Sequence, residues 1–390
     1  MESQHGSRHS DAGDGREPER EPRRSDVTTT TDPEMTKSAR SSGSHWGSEP
    51  GFEQIDGDIE GCGYNETTVD IIAVPCIGAS PIDTWARDPL SEGYFTFPPP
   101  TELDKYATGK ELPGSPVLTP TISRVPPKAS HLWIRQGIRK EVSKARVMLY
   151  RHRELDEDTT IEKAADDLID QVTNMRAGLK KARPIFFICH SIGGLVVKAA
   201  LVKARKREEL KPLISDCHGI TFFATPHRGS SYLSMPNLRE SIQQLLFLER
   251  PLPRSITSEL RLGYKPLLKL HDDFTDLASE LRLWTFYETI DSQLSGFGSN
   301  DIDEVHFSAP ITSIKSGLIG TRAEKALSLE SDHAHCASFG PQNLRIMHSY
   351  LYDLGDAVRQ AESLSANFVH TPLRLSRQVK VEIVGFYAFS

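Results

Sequence analysis

The sequence predicts an α/β fold with a mostly parallel central sheet, helices on both faces and a disordered N-terminal tail. Three observations carry this expectation. Short continuous apolar runs at residues 69–74, 145–150, 184–189 and 219–224 read as strands buried on both faces. Amphipathic helical segments alternate with them, as the crossovers of a parallel sheet require. Ahead of the first run, residues 1–66 are rich in Ser, Gly, Arg, Glu, Asp and Thr and nearly empty of large aliphatic side chains. Such a segment buries too little apolar surface to offset its chain entropy.

The folded domain is expected over residues 67–365, starting at Val69, Ile71, Ile72, Ala73 and Val74, a run that stops at Pro75 and Cys76. A Pro-rich loop at 97–127 follows, then a short helix with Ile134, Ile138 and Val142 at four-residue spacing, which leads into the strand 145–150. Thr159 and Glu162 have capping-box spacing ahead of Ile161, Ala165, Leu168, Val172 and Met175, which fall along one helical face. The strand 184–189, a helix from Ile192 to about Lys206 and the strand 219–224 come next. Further strands are expected at 283–287 and near 305–308, with a closing helix from about Asn343 to Ala361. Residues 366–390 read as a C-terminal tail, in which the strand-like run 379–387 finds no place in the fold.

Bulk properties remove several function classes. The net charge of -7 gives the chain no overall attraction to phosphate backbones, so no nucleic-acid partner is expected. The five cysteines, Cys62, Cys76, Cys189, Cys217 and Cys336, are scattered without zinc-ligand or disulfide-framework spacing, so no metal is expected and a reducing compartment fits. The apolar runs are far shorter than the ~20 residues of a membrane-spanning helix, and residues 1–24 lack the apolar centre of a secretory signal. An intracellular, cytoplasmic protein is the expectation, with the mitochondrion or the endoplasmic reticulum surface as alternatives.

The chemistry is concentrated between the strand 184–189 and the helix that opens at Ile192. There the segment Cys189-His190-Ser191-Ile192-Gly193-Gly194 sets a serine in a sharp strand-to-helix turn flanked by small residues. This is the pattern of a nucleophile elbow, which holds the serine in a strained backbone conformation with its hydroxyl above the sheet. Cys189 stands where the usual pattern has glycine, and is small enough for the turn. The Ile192 amide, at a helix N-terminus, would face a developing oxyanion.

Together with residues 73–85 (AVPCIGASPIDTW), 222–230 (FFATPHRGS), 286–289 (FYET) and Asp332-His333, this elbow resembles the serine-esterase group of eukaryotic α/β-hydrolases. That group includes the glycosylphosphatidylinositol deacylases and the mitochondrial serine-active-site protein, and the likeness is greatest to its fungal members. It spans about residues 68–352. Many members carry His-Gly where this chain has Pro75 and Cys76.

In this fold the catalytic residues follow the chain order serine, acid, histidine. The resemblance assigns the general base to His333, with His335 as the nearest rival among the 14 histidines. Glu288, at the end of the strand 283–287, is the expected acid, and Asp291 is the alternative; Asp332 would orient the loop. His190 belongs to the elbow and is expected to pack or hydrogen-bond locally. The second oxyanion donor should come from the loop after the first core strand, at Cys76, Ile77 or Gly78, with Ile77 taken as the donor. A structural or substrate-shaping role is expected for His227 and Arg228. Residues 231–260, with Leu238, Ile242, Leu245, Leu246 and Leu248 at near-helical spacing, fit either a lid or core packing.

The resulting expectation is a serine hydrolase that needs no cofactor and cleaves a small-molecule or lipid ester through an acyl-enzyme on Ser191. Peripheral membrane contact is compatible with it, and the oligomeric state is open. Two alternatives share the fold: a signalling or binding module related to fungal receptor-like proteins, and an acyltransferase or lactone-forming enzyme of secondary metabolism.

Overall fold

In a parallel sheet covered on both faces, successive side chains of each strand enter opposite cores, so every position must be apolar or internally paired. The computed structural model describes residues 49–54, 67–86, 132–179, 181, 183–297 and 304–370. Within them the chain forms β1 (Gly51–Gln54), β2 (Val69–Val74), α1 (Pro81–Trp85), α2 (Trp133–Glu141), β3 (Ala145–Arg151), α3 (Ile161–Arg176), β4 (Ile185–His190) and α4 (Ile192–Arg205). It continues through α5 (Lys211–Asp216), β5 (Cys217–Phe223), α6 (Arg239–Leu245), α7 (Arg254–Glu259), α8 (Lys265–Ala278) and β6 (Arg282–Glu288). The last elements are β7 (Ser292–Phe297), β8 (Glu304–Ala309), α9 (Ile314–Gly317), β9 (Glu324–Leu329) and α10 (Leu344–His370).

Seven strands make one sheet in the order β1-β3-β2-β4-β5-β6-β9. Strand β1 runs antiparallel to β3, and the neighbours from β3 to β9 pair in parallel. This is an α/β-hydrolase-like sheet. All six residues of β2 and of β4 are buried. Ile72 and Val74 enter a core with Leu168 of α3 and Val196 of α4. Ile71 and Ala73 face the other way, into a core with Trp133 of α2 and Tyr350 of α10. The turns that leave β2, β3, β4, β5, β6 and β9 therefore gather at one edge of the sheet, where α/β proteins place their ligands.

The described residues depart from the sequence reading at several points. Gly51–Gln54, assigned to the disordered tail, pairs with β3 as an edge strand, where short length and low apolar content suffice. Thr160, not Thr159, caps α3 by accepting the Lys163 amide at 3.1 Å, while the Thr159 hydroxyl is held by Asp156 at 2.8 Å. The expected strand near 305–308 does not join the sheet: β8 pairs with β7 in a separate antiparallel hairpin. The last core strand is β9, whose largely exposed sequence Glu-Lys-Ala-Leu-Ser-Leu carries almost no apolar signal. The closing helix α10 runs to His370, past the expected boundary at 365. In the 231–260 segment, Leu238, Ile242, Leu246, Leu248, Leu252 and Ile256 are all buried in the sheet's own core. The Pro-rich loop, most of the N-terminal tail, Cys62 and the run 379–387 lie outside the described residues.

One charged group interrupts the apolar pattern of β2. Asp70 is fully buried and binds Arg146 of β3 at 2.7 Å, Arg176 of α3, and Arg183 at 3.7 Å; Arg176 continues to Asp216 of α5 at 2.6 Å. The network ties two strands and two helices together at the edge opposite the loops described below. Removing one member of such a network leaves buried charge uncompensated, at a cost of about 3–5 kcal/mol. Asp70→Ala should therefore lower the unfolding free energy by about 3–5 kcal/mol in urea titrations, whereas a loss below about 1 kcal/mol would mark the network as no stronger than a surface ion pair.

Candidate active site

The residue that leaves β4 is Ser191, with φ 50° and ψ −126°, and α4 begins at the next residue. Positive φ is costly for a residue with a side chain and persists only where its surroundings impose it. Here the Ser191 amide donates to the Phe223 carbonyl at 2.9 Å, which locks the turn against β5. The first turn of α4 then passes beneath the end of β2. A Cβ on Gly193 would lie 2.1 Å from the Pro75 carbonyl oxygen and one on Gly194 would lie 2.2 Å from Thr225 Oγ1. The Gly193 clash is with backbone and cannot be relieved by a rotamer change, so glycine is required there.

Ser191 Oγ lies 2.9 Å from His333 Nε2, and His333 Nδ1 lies 2.5 Å from Glu288 Oε2. A single tautomer serves both contacts: Nδ1–H donates to the carboxylate, and Nε2 accepts from the hydroxyl. Glu288 uses its other oxygen to accept the Thr312 amide at 2.8 Å. The His333 loop is held from three sides. Its amide donates to Ser292 Oγ at 3.3 Å, its carbonyl accepts from His190 Nε2 at 2.9 Å, and the Ile290 amide donates to the Ser331 carbonyl at 3.1 Å. Burial and the nearby His333 pull His190 down to about 3, so it is a neutral donor. Ser191 and His333 are both fully buried.

The alternatives separate clearly. Asp291 is exposed, and the carboxylate that meets His333 is that of Glu288. His335 is turned to the surface, where its Nδ1 lies 2.8 Å from Asp332. Thr312, Ser292 and His190 complete the arrangement. Thr312 and Ser292 were missed from the sequence, because a backbone amide from any residue type and one serine among many leave no pattern to find.

Beside the elbow Cys76 is fully buried, and the Ile192 and Ile77 amides and the Ser191 hydroxyl act to favour its thiolate. Burial pushes that thiol up to about 11, so it is neutral. Its loop is anchored on both flanks. Gly78 takes φ 77°, the Pro75 carbonyl accepts from His152 Nε2 at 2.9 Å, and the Gly78 carbonyl accepts from the Glu249 amide at 3.2 Å.

The segment Thr225 to Ser230 acts as a clamp. Arg228 donates to the carbonyls of Lys315, Leu318 and Ile319 at 2.8, 2.6 and 3.2 Å, and Ser316 Oγ donates to the Gly229 carbonyl at 2.6 Å. These bonds fix residues 315–319, just beyond the Thr312 that holds Glu288. His227 reaches the opposite way, with Nδ1 3.3 Å from the amine of Lys198 on α4. Lys198 is fully buried, also lies 3.3 Å from His271 Nδ1, and sits 5.4 Å over the Phe274 ring. Burial, reinforced by Arg228, pulls its ammonium down to about 7, and burial also keeps both histidines neutral.

Residues 131–248 match the family model described as "Putative serine esterase", a stretch that contains Ser191 and stops short of Glu288 and His333. Protein SERAC1 of Mus musculus is 35% identical over 120 residues, covering 30% of this chain and 17% of that protein. Protein SERAC1 of Homo sapiens is 33% identical over 118 residues, with the same shares. The chain thus spans under a fifth of the length of these curated relatives. Among solved structures, the mature lipase BlEst2 of Bacillus licheniformis superposes with a TM-score of 0.46 at 11% identity, over 77% of this chain and 97% of that one. The phospholipase PlaB of Legionella pneumophila gives 0.42 at 11% identity, over 77% and 62%. The chain accordingly carries a domain similar to serine esterases and to a short stretch of SERAC1.

Lys198 makes stability depend on pH. Its folded-state value lies below that of the unfolded chain, so unfolding takes up a proton and stability rises with pH between about 7 and about 10.5. The cost is fully present below the folded value and vanishes above the unfolded one. Lys198→Met should therefore raise Tm relative to wild type most at about pH 6, and the difference should shrink towards about pH 10. A difference in Tm that stays constant over that range would contradict a buried, titrating lysine.

Proposed function

We propose that this chain, with its serine-esterase-like domain, is a serine hydrolase that cleaves carboxylic esters through an acyl-enzyme on Ser191. The observation that carries this reading is the continuous hydrogen-bond chain from Ser191 Oγ through His333 to Glu288, built on a serine held at positive φ. A Ser-His-Ser or Ser-His-water contact would not fix the tautomer or offset the charge that forms on the imidazole.

In the first half-reaction Ser191 Oγ attacks the ester carbonyl while His333 Nε2 takes the hydroxyl proton. Negative charge builds on the carbonyl oxygen, which the Ile192 and Ile77 amides receive. Glu288 stabilises the imidazolium, with one oxygen accepting from His333 and the other from the Thr312 amide. The imidazolium then returns its proton to the departing alcohol. In the second half-reaction a water molecule, deprotonated by His333, attacks the acyl-enzyme and releases the acid.

Fluorophosphonate probes phosphonylate serines activated in this way. The wild-type protein should be labelled and Ser191→Ala should not; equal labelling of the two, or none of either, would overturn the mechanism. Glu288→Gln keeps the shape but loses the charge and the tautomer preference, so kcat on a short-chain ester should fall by about 10³–10⁴-fold, while Asp291→Asn should stay within about twofold of wild type. Equal losses would move the acid to Asp291.

Cys76 offers a separate check on the oxyanion site. Cys76→Ala removes the buried sulfur beside the elbow and should hold or raise the labelling rate, whereas Cys76→Leu should abolish labelling without unfolding the protein, as read by circular dichroism. Labelling that survives Cys76→Leu would place the oxyanion elsewhere.

A further inference from the structure

The mechanism proposed above gives no task to the lysine buried in α4. Lys198 comes seven residues after Ser191, on the same side of the helix and about 10 Å further along its axis. It is fully buried. Its amine lies 3.3 Å from Nδ1 of His227, in the segment after β5, and 3.3 Å from Nδ1 of His271 on α8. An ammonium can only donate, so both Nδ1 atoms accept and both rings carry their proton on Nε2.

Stability does not account for a cation in this position. Two neutral rings and the Phe274 face stand where a carboxylate would offset the charge. Replacing a buried charge with an apolar side chain of similar volume is commonly neutral or stabilising. A methionine would fill the same space without a charge to desolvate. What the amine adds is direction, in two bonds that a methionine cannot make.

The bond to His227 leads towards the acid. Just before it, Ala224 takes φ 46°, a strained conformation that lasts only where the surroundings impose it. The Ala224 carbonyl accepts from the Thr312 hydroxyl at 3.2 Å, and the His227 amide donates to the Ser316 carbonyl on α9 at 2.8 Å. Residues 224–227 therefore grip both ends of the stretch 312–316, whose Thr312 amide holds Glu288 at 2.8 Å. Arg228 fixes the main chain beyond it, at Leu318 and Ile319. Lys198 adds a hydrogen-bonded tie from this clamp to the helix on which Ser191 stands.

Resting on the esterase reading above, we propose that Lys198 is a positioning residue: through His227 it fixes the Thr312 stretch relative to α4, and so keeps the Glu288 carboxylate in line with His333 and Ser191. It touches no reacting atom. Its contribution is alignment, and the fold is less stable for it.

The test uses Lys198→Met, which keeps the volume and removes the donor. A shift of about 1 Å in catalytic groups lowers rates by about 10²-fold, so the loosened tie should lower kcat on a short-chain ester by about tenfold or more, with KM within about twofold. Tm at about pH 6 should rise in the same variant. Lower kcat in a more stable protein is an outcome that a packing role does not give. The far-downfield proton NMR resonance of His333 Nδ1–H reports its bond to Glu288 directly, and it should shift or disappear in Lys198→Met. His227→Phe, which keeps an aromatic ring and loses the acceptor, should reproduce the loss of kcat. The double variant should lose no more than the worse single one, because both break the same link. A kcat within about twofold of wild type in Lys198→Met, an unshifted resonance, or additive losses in the double variant would each overturn the proposal. Fluorophosphonate labelling of Ser191 keeps the two readings apart: labelling in wild type with an unchanged kcat in Lys198→Met removes the positioning role alone. If wild type is not labelled, the esterase reading falls and the resonance decides the positioning role by itself, a shifted signal supporting it and an unshifted one rejecting it.

Discussion

The structure around Ser191 depends on how closely the first turn of α4 approaches the end of β2. The Gly193 Cα passes so near the Pro75 and Val74 carbonyls that no side chain fits. That contact brings the N-terminus of α4 close to the residues after β2. It also accounts for the glycine two residues after the serine. Strain at Ser191 is compensated by the bond from its amide to Phe223, by full burial, and by the covered strands on either side.

A second constraint acts on the acid. Glu288 stands at the very end of β6, where a carboxylate without a second partner would be free to rotate away from the histidine. The Thr312 amide prevents this, and residues 315–319 just beyond it are held by Arg228 and Ser316 through main-chain carbonyls and not through other charges. Backbone acceptors keep Arg228 from competing for Glu288. The buried Lys198 works on the other side of the same clamp, where a carboxylate partner would have been the usual solution. Two neutral histidines and an aromatic face take its place, so the amine can be buried without introducing an acid beneath the site.

Much of this was legible in the sequence, for physical reasons. Strands buried on both faces must be continuously apolar, so β2, β3, β4 and β5 stand out, and the elbow is visible because a strand, a serine and two glycines in succession have few other uses. The meeting of Ser191, Glu288 and His333 follows from chain order and from loops that share one sheet edge. What was not legible rests on weaker signals. Edge strands β1 and β9 need only one covered face and carry polar residues, so neither reads as a strand. The 231–260 segment is apolar at helical spacing whether it forms a lid or core, and only its burial in the core, with α6 against β7, decides. The Thr312 amide and the Ser292 hydroxyl involve atoms or residue types common to any chain.

The departure of this chain at Pro75 and Cys76 acquires a physical meaning from the site. A buried serine with empty oxyanion amides would leave two N–H groups without partners, at a cost of about 1–3 kcal/mol each. The Cys76 sulfur stands near both amides, and as a neutral thiol it is a weak acceptor. A weak acceptor is easily displaced by an oxygen, and more easily as that oxygen gains charge. Under the proposed mechanism the N–H···O⁻ bonds of the two amides stabilise the tetrahedral intermediate more than the bound ester, which is the requirement for catalysis. A stronger resident acceptor, such as a serine or asparagine oxygen, would reduce that difference. Cysteine at 76 therefore suits a buried resting site that must still yield to the reacting carbonyl.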